Sequence, residues 1–187
     1  VSDDRTALYP QGLPEIFNIG LLHTSLKGRP GHAPYAPCTL DALRSKGYRY
    51  WALGHVHQRE EIARDPWIVF PGNIQGRHIR ETGVKGCTLV SVDEGRVYSV
   101  EHKEIDVLRW SIRRMDISHI DSLKSLPDLV HGAFEDERRQ AGGRPLAVRL
   151  VLEGETAFHA GLHENLGHFA ESFRAVAADI GDVWLEK

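Results

Sequence analysis

Residues 50–57 read Tyr-Trp-Ala-Leu-Gly-His-Val-His and hold the strongest signal for both fold and chemistry in this chain. The first four are aromatic or apolar, which is typical of a buried β-strand. Gly54 then lets the chain turn sharply out of that strand. His55 and His57 stand at positions i and i+2 of an extended segment, so both point to one side, about 7 Å apart at the backbone. The segment predicts a strand that ends in a pair of candidate metal ligands.

A second apolar run ends in a histidine in the same way. Residues 17–22 read Phe-Asn-Ile-Gly-Leu-Leu, and His23 follows directly. If the two strands are neighbours in one sheet, His23 and His55 meet at the edge where α/β sheets hold their ligands. Imidazoles placed in this way can bind one metal ion, or two ions about 3.5–4 Å apart. A His-x-His pair alone is equally compatible with two ordinary loop histidines; the third histidine favours the metal site.

The remainder of the first half is also rich in predicted strands. Thr39 is suited to cap a short helix over residues 40–46. A further strand is expected over residues 67–70, and it stops at a Pro-Gly-Asn turn. Asp93-Glu94-Gly95 lies between two alternating runs and predicts a β-hairpin.

The hydrophobic pattern changes near residue 108. Apolar positions first alternate and then recur at helical spacing, which predicts strands interleaved with helices. Five elements follow in the order β-α-β-α-β, over residues 109–117, 121–140, 145–152, 163–180 and 183–186. We therefore expect an α/β protein with a first domain over residues 1–106 and a small second domain over residues 107–187.

Composition narrows the class of protein. The chain of 187 residues is 41% hydrophobic and 26% charged, as expected for a soluble globular protein. Its net charge of -3 gives no sign of the overall positive charge that is typical of nucleic-acid-binding domains. No apolar run approaches the roughly 20 residues that span a bilayer, which excludes an integral membrane protein. Cys38 and Cys87 are too few for a disulfide scaffold, so we expect reduced thiols and a cytoplasmic location.

Four motifs together resemble a known family. They are His-Thr-Ser at 23–25, Tyr-Ala-Pro-Cys at 35–38, the 50–57 segment, and Pro-Gly-Asn-Ile-Gln-Gly-Arg-His at 71–78. In this combination they closely resemble calcineurin-like metallophosphoesterases, and among them the bacterial DNA repair exonucleases of the SbcD type, in the YhaO-like branch. The resemblance implies that residues 1–106 are the C-terminal half of a metallophosphoesterase αββα sandwich, and that residues 107–187 form the capping and DNA-binding domain.

The resemblance also implies a two-metal site that usually holds Mn²⁺. By position, His23 and His55 would bind the second metal and His57 the first. Such a site hydrolyses phosphodiester bonds, so the intact protein is expected to be a hydrolase, a metal-binding exonuclease that acts on DNA in DNA repair. The family further implies an SMC-type ATPase as a possible partner and a possible homodimer, with no membrane partner.

The other metal ligands of the family do not precede His23 in this chain. The family carries an Asp-x-His, a Gly-Asp and a Gly-Asn-His motif there, and residues 1–22 contain none of them. Gly72-Asn73 is followed by Ile74 and so does not supply the third. We therefore expect the chain to be the C-terminal part of such an enzyme, weak in metal binding and inactive alone.

Polar and basic residues after the Pro-Gly turn are candidate substrate contacts, although a solvated loop explains them equally well. The candidates are Asn73, Arg77, His78 and Arg80. Lys103, Arg109 and Arg113 share odd-numbered positions, so one strand face could present them to a phosphate backbone. An exposed strand edge protected by charge is the favoured alternative.

Two other functions compete with the nuclease. His55, His57 and Glu61 have the spacing of a single-metal cupin-like enzyme that uses Fe or Mn. The glycine expected before those histidines would fall at Arg49, and the helical second half does not suit an all-β barrel. The third hypothesis is a non-enzymatic DNA-binding module in which the histidines have no metal to bind.

Overall fold

The computed structural model describes residues 3–27 and 34–187, which form two compact units of mixed α/β structure. The first unit comprises the described residues up to Ile74 together with Lys85–Ile105. The second comprises Gln75–Val84 and Asp106–Lys187. The α/β class expected from the sequence is confirmed. The sequence pattern does not predict that Gln75–Val84 belongs to the second unit, because this segment forms no regular helix or strand.

A four-stranded sheet organises the first unit. Its strands are β1 (Ile19–His23), β2 (Tyr50–Gly54), β3 (Glu60–Arg64) and β4 (Trp67–Phe70), in the spatial order β1-β2-β4-β3. Strands β1, β2 and β4 are parallel, and β3 is antiparallel to β4. The sequence pattern does not indicate β3, because Glu-Glu-Ile-Ala-Arg lacks the run of β-branched and aromatic residues that favours strands.

Trp51 lies at the centre of the core of the first unit. Its side chain is fully buried, and its indole N–H donates to the Leu43 carbonyl of α1 (Leu40–Arg44) at 3.2 Å. The Tyr48 ring stacks on it with centroids 4.7 Å apart. On the neighbouring strand Gly20 is the register partner of Trp51, and a Cβ at Gly20 would lie 2.2 Å from the indole ring. The absence of a side chain at position 20 is therefore what lets the indole cover β1.

We expect Gly20→Ala to destabilise the first unit by about 1–3 kcal/mol, the usual cost of overpacking a core. Urea unfolding followed by tryptophan fluorescence measures the change. Gly132→Ala is the matched control, because a Cβ at helical Gly132 meets no atom within 4 Å. That control should be neutral or stabilising. A Gly20→Ala variant as stable as the control would show that the indole can move to accommodate the added methyl group.

A β-hairpin completes the first unit, as expected from Asp93-Glu94-Gly95. Strand β5 (Gly86–Asp93) pairs antiparallel with β6 (Arg96–Glu104), and Asp93 is opposite Arg96. The two turn residues, Glu94 and Gly95, have φ values of 45° and 74°. Positive φ at both positions is the mark of a type I′ turn, which matches the twist of the strands it joins.

A three-stranded parallel sheet carries the helices of the second unit. The elements are β7 (Arg109–Asp116), α2 (Leu126–Gln140), β8 (Leu146–Glu153), α3 (His159–Glu164), α4 (Leu166–Ile180) and β9 (Val183–Leu185), with strand order β7-β8-β9. Fully buried Phe134 and nearly buried Phe173 lie in the core beside the sheet. The helix expected over 163–180 is divided, because Asn165 has non-helical dihedral angles.

The interpretation of Arg109 as a phosphate-facing residue is wrong. Its side chain is 9% exposed, and Nε donates to Asp106 Oδ2 at 2.9 Å. Arg144 Nε lies 3.2 Å from Asp106 Oδ1, so one fully buried carboxylate holds two guanidinium groups. Arg113 pairs with Glu137 at 3.5 Å. The Asp106 cluster is part of the interior of the second unit rather than a charged strand face.

Among the residues that the structure describes, no helix has both the length and the apolar composition needed to cross a lipid bilayer.

Candidate metal centre

The structure brings His23 and His55 together at one edge of the first sheet. Because β1 and β2 are parallel, their carboxyl ends coincide, and the register pairs His23 with Gly54. His55 follows immediately. His23 Nε2 lies 3.3 Å from His55 Nδ1, and the two ring centroids are 5.2 Å apart at an interplanar angle of 80°. The two imidazoles therefore face each other nitrogen to nitrogen.

His55 has a strained backbone. Its φ is 102°, a region that side-chain-bearing residues rarely adopt. Such a conformation costs on the order of 1–3 kcal/mol and persists where the surrounding structure requires it, often at functional sites. The turn out of β2 thus carries a strained histidine rather than the glycine that this conformation would favour.

Gly54 provides the space that the His23 ring occupies. A Cβ at Gly54 would lie 2.8 Å from His23 Nδ1, closer than real side chains approach. The ring of His23 therefore lies over the bare backbone of its strand partner. The glycine in Gly-His-x-His therefore leaves an open position beside His23, whereas the unusual backbone angle of the turn belongs to His55.

Tyr35 contacts both histidines, and the sequence pattern does not mark it as a site residue. Its ring stacks on His55 with centroids 5.8 Å apart, and meets the His23 ring edge-on at 5.0 Å. Two backbone contacts fix the tyrosine: its N–H donates to Ser25 Oγ at 3.1 Å, and the Ser25 N–H donates to the Tyr35 carbonyl at 2.9 Å. The only signal in the sequence is its place in the Tyr-Ala-Pro-Cys motif.

A buried hydroxyl holds the chain that follows His23. Thr24 Oγ1 donates to the Ala36 carbonyl at 2.8 Å and accepts from the Leu26 N–H at 3.0 Å. The Thr24 N–H also donates to the Gly54 carbonyl at 3.2 Å, which ties the ends of β1 and β2 together. Cys38 lies beside this hydroxyl, and burial raises the pKa of its thiol. Cys38 is therefore a small core residue, not a reactive thiolate.

The Pro-Gly-Asn turn packs against the backbone of His57. The Asn73 N–H donates to the His57 carbonyl at 3.2 Å. Gly72 has a φ of 78°, and a Cβ there would lie 3.0 Å from both the His57 carbonyl oxygen and the Arg59 nitrogen. The exposed side chain of His57 does not join the other two histidines: within residues 3–27 and 34–187, no three His, Cys, Asp or Glu side chains form a group able to hold a metal.

The three basic candidates after the turn belong to the second unit, whereas Asn73 belongs to the first. Buried Glu81 organises them: the Arg77 N–H donates to Oε2 at 2.8 Å, and the Arg77 guanidinium lies 3.3 Å from Oε1. His78 Nε2 lies 3.8 Å from the same carboxylate, and the Arg80 N–H donates to His78 Nδ1 at 3.3 Å. Contact of these residues with a substrate stays a prediction.

The Glu61 carboxylate forms ion pairs with two arginines. Arg59 Nη2 lies 2.7 Å from Oε1, and Arg64 Nη2 lies 3.1 Å from Oε2. The hydrogen bond from Arg59 lowers the pKa of Glu61 and keeps the carboxylate ionised for its ion pairs. The described residues contain no three-ligand group that includes it. An open four-stranded mixed sheet also differs from a barrel, so the structure does not support the cupin-like alternative.

Comparisons with known proteins show which proteins this chain is similar to. Residues 110–187 match the family described as the middle domain of the metallophosphoesterase YhaO. Over 153 residues the chain is 40% identical to a Bacillus subtilis (strain 168) protein named "Uncharacterized metallophosphoesterase YhaO", a match that covers 81% of this chain and 37% of that protein. The chain thus aligns with little more than a third of its relative. The similarities are therefore to a metallophosphoesterase and, over residues 110–187, to the middle domain of that protein.

Proposed function

We propose that the chain is part of a two-metal DNA exonuclease of the SbcD type, with Mn²⁺ as its metal and a function in DNA repair. The supporting observation is the facing pair of imidazole nitrogens, His23 Nε2 and His55 Nδ1, 3.3 Å apart at the carboxyl edge of a parallel sheet. The similarity to a metallophosphoesterase supports use of a divalent metal, which agrees with this donor set.

The spacing of the two nitrogens fits a shared cation. Two imidazole nitrogens, each about 2.0–2.1 Å from one ion at tetrahedral to octahedral angles, lie roughly 2.8–3.4 Å apart. When bound, divalent ions activate a water and stabilise the attacking and leaving oxygens of the phosphodiester. This chain contributes two imidazoles, a strained turn that aims His55, and a tyrosine ring that contacts both histidines.

Two imidazoles alone make an incomplete site. Carboxylate and further histidine ligands are required for tight binding, and the described residues place none of them beside the pair. We therefore propose that the intact enzyme supplies them from other parts of its chain, that His57 binds the first metal, and that the 187-residue chain alone binds metal weakly without hydrolysing DNA.

Mn²⁺ titration of this chain, followed by electron paramagnetic resonance, tests the proposal. We expect weak binding that is lost in the double variant His23→Ala/His55→Ala and that weakens in mild acid, because only neutral imidazoles bind metal. His131→Ala, which removes an exposed histidine of α2, is the matched control and should leave the affinity unchanged. Equal affinity in the double variant and the wild type would refute the assigned ligands.

Gly54→Ala is expected to weaken Mn²⁺ binding severalfold with little loss of stability. The added methyl group would displace the exposed His23 ring, whose Nδ1 lies 2.8 Å from its position, and so separate the two nitrogens. Mn²⁺ affinity and urea unfolding measured on the same sample separate the two effects. Gly167→Ala is the control, since a Cβ there meets nothing within 4 Å. An unchanged Mn²⁺ affinity would show that the His23 ring binds metal equally well without the open position beside Gly54.

The proposal extends to partners and location. We propose DNA as the substrate, an SMC-type ATPase and a second copy of the chain as partners, and the cytoplasm, where free thiols such as Cys38 and Cys87 persist. The family resemblance supports these assignments. Co-purification of the full-length protein with its ATPase, and its mass by light scattering, test the two partners separately; a monomer would remove the homodimer from the proposal.

A further inference from the structure

Four arginines from separate parts of the chain line one concavity of the first unit. It has a volume of about 530 Å³ and is lined by Arg44, Arg49, Arg64 and Arg96, with Trp67 and Asp65 among the other lining residues. We call this concavity the arginine pocket. Its volume lies within the range of roughly 300–1,000 Å³ that is usual for ligand sites.

The arginine pocket and the histidine pair lie at opposite ends of β2. Arg49 directly precedes β2, and its carbonyl accepts from the N–H of Trp67 at 3.2 Å, at the start of β4. His55 directly follows the other end of β2. Five residues of strand separate the two sites by roughly 16 Å along the strand. The arginine pocket is therefore not part of the candidate metal centre.

The arginine pocket has an excess of positive charge, because four arginines and one acidic residue, Asp65, line it. In the part of the chain that the structure describes, the exposed guanidiniums of Arg49 and Arg96 take part in no ion pair. Arg44 pairs at 3.5 Å with Asp41, whose side chain is 93% exposed, and such a pair contributes little. Arg64 pairs with Glu61 and lies over the Trp67 ring, 5.4 Å from its centroid.

We propose that the arginine pocket binds phosphate groups of a nucleic-acid strand. Guanidinium groups bind phosphate oxygens bidentately, and an anion relieves the mutual repulsion of clustered positive charges. The four arginines come from four different segments of the chain, and several phosphates of one strand offer such a set more anionic oxygens than a single phosphate ion does. The inference rests on the proposed function, since the substrate of a DNA exonuclease carries phosphates well beyond the bond that is cut.

Fluorescence anisotropy with a labelled DNA single strand tests this inference on the 187-residue chain, with EDTA present so that the metal centre takes no part. We expect Arg49→Ala/Arg96→Ala to weaken binding by about tenfold or more. The salt dependence, log K against log salt concentration, should also become shallower by about 1.4, or about 0.7 for each phosphate that the variant no longer neutralises. Arg5→Ala/Arg174→Ala, which removes two exposed arginines outside the pocket, should change neither quantity.

Three results would overturn the inference. They are absence of strand binding by the wild type, an unchanged affinity and salt slope in Arg49→Ala/Arg96→Ala, and competition by inorganic phosphate as effective as that by DNA at equal phosphate concentration. The last result would assign the pocket to free phosphate. The proposed function is tested separately, because Mn²⁺ binding should survive the arginine substitutions and strand binding in EDTA should survive His23→Ala/His55→Ala.

Discussion

His55→Gly and His55→Ala are both expected to lose measurable Mn²⁺ binding. We also expect the free energy of unfolding of His55→Gly to be about 1 kcal/mol higher than that of His55→Ala. Each substitution removes one of the two facing imidazoles. Only glycine relieves the backbone, because a φ of 102° is strained for alanine as it is for histidine. The prediction links ligand geometry to stored strain at a single position.

Urea unfolding of the two variants beside the wild type measures the difference. His57→Gly and His57→Ala form the matched control pair, since His57 is not among the described residues with positive φ. At position 57 glycine should be less stable than alanine, because it gains more freedom in the unfolded chain. If glycine were also the less stable choice at position 55, the strained turn would have no energetic consequence.

Asp106→Ala is expected to cost the second unit about 3–5 kcal/mol, the usual penalty for removing one partner of a buried ion pair. The Asp106 carboxylate is fully buried, and it binds Arg109 at 2.9 Å and Arg144 at 3.2 Å. Its loss leaves the nearly buried charge of Arg109 without that carboxylate. Circular dichroism at the helical band reports on this unit, because α2 and α4 have 15 residues each and α1 has five.

Two further variants separate the effect of the buried charge from the effect of losing a carboxylate elsewhere. Asp179→Ala removes an exposed carboxylate from α4 and should change stability by less than about 0.5 kcal/mol. Asp106→Ala/Arg109→Met removes the charge along with its partner, so it should be more stable than Asp106→Ala alone. A double variant that is no better than the single one would mean that packing, not charge, dominates at this position.

Apolar runs are sufficient to predict the strands that carry the histidines. Runs over 17–22 and 50–53 correspond to β1 and β2, and their parallel pairing places His23 beside His55. Continuous apolar segments are typical of parallel strands, and both runs have this pattern, although Ile19 and Leu21 of β1 are exposed whereas β2 is largely buried. Strand β3 escapes such detection because its residues are mostly charged and their strand conformation depends on pairing with β4.

Contacts made across loops cannot be predicted from local pattern. Tyr35 reaches both histidines only because Ser25 holds its backbone, a contact between residues ten positions apart. The sequence indicates a surface charge at Arg109, since charged residues are rarely buried unless paired. Its partner Asp106 is visible in the sequence, but the burial of both depends on the tertiary packing of the second unit.

Anomalous X-ray scattering from crystals of the chain grown with Mn²⁺ tests the central claim most directly. We expect one peak that lies about 2.1 Å from both His23 Nε2 and His55 Nδ1, a normal coordination distance for imidazole nitrogen. A well-occupied peak elsewhere in the chain, with the two histidine nitrogens still 3.3 Å apart and no metal between them, would contradict the claim.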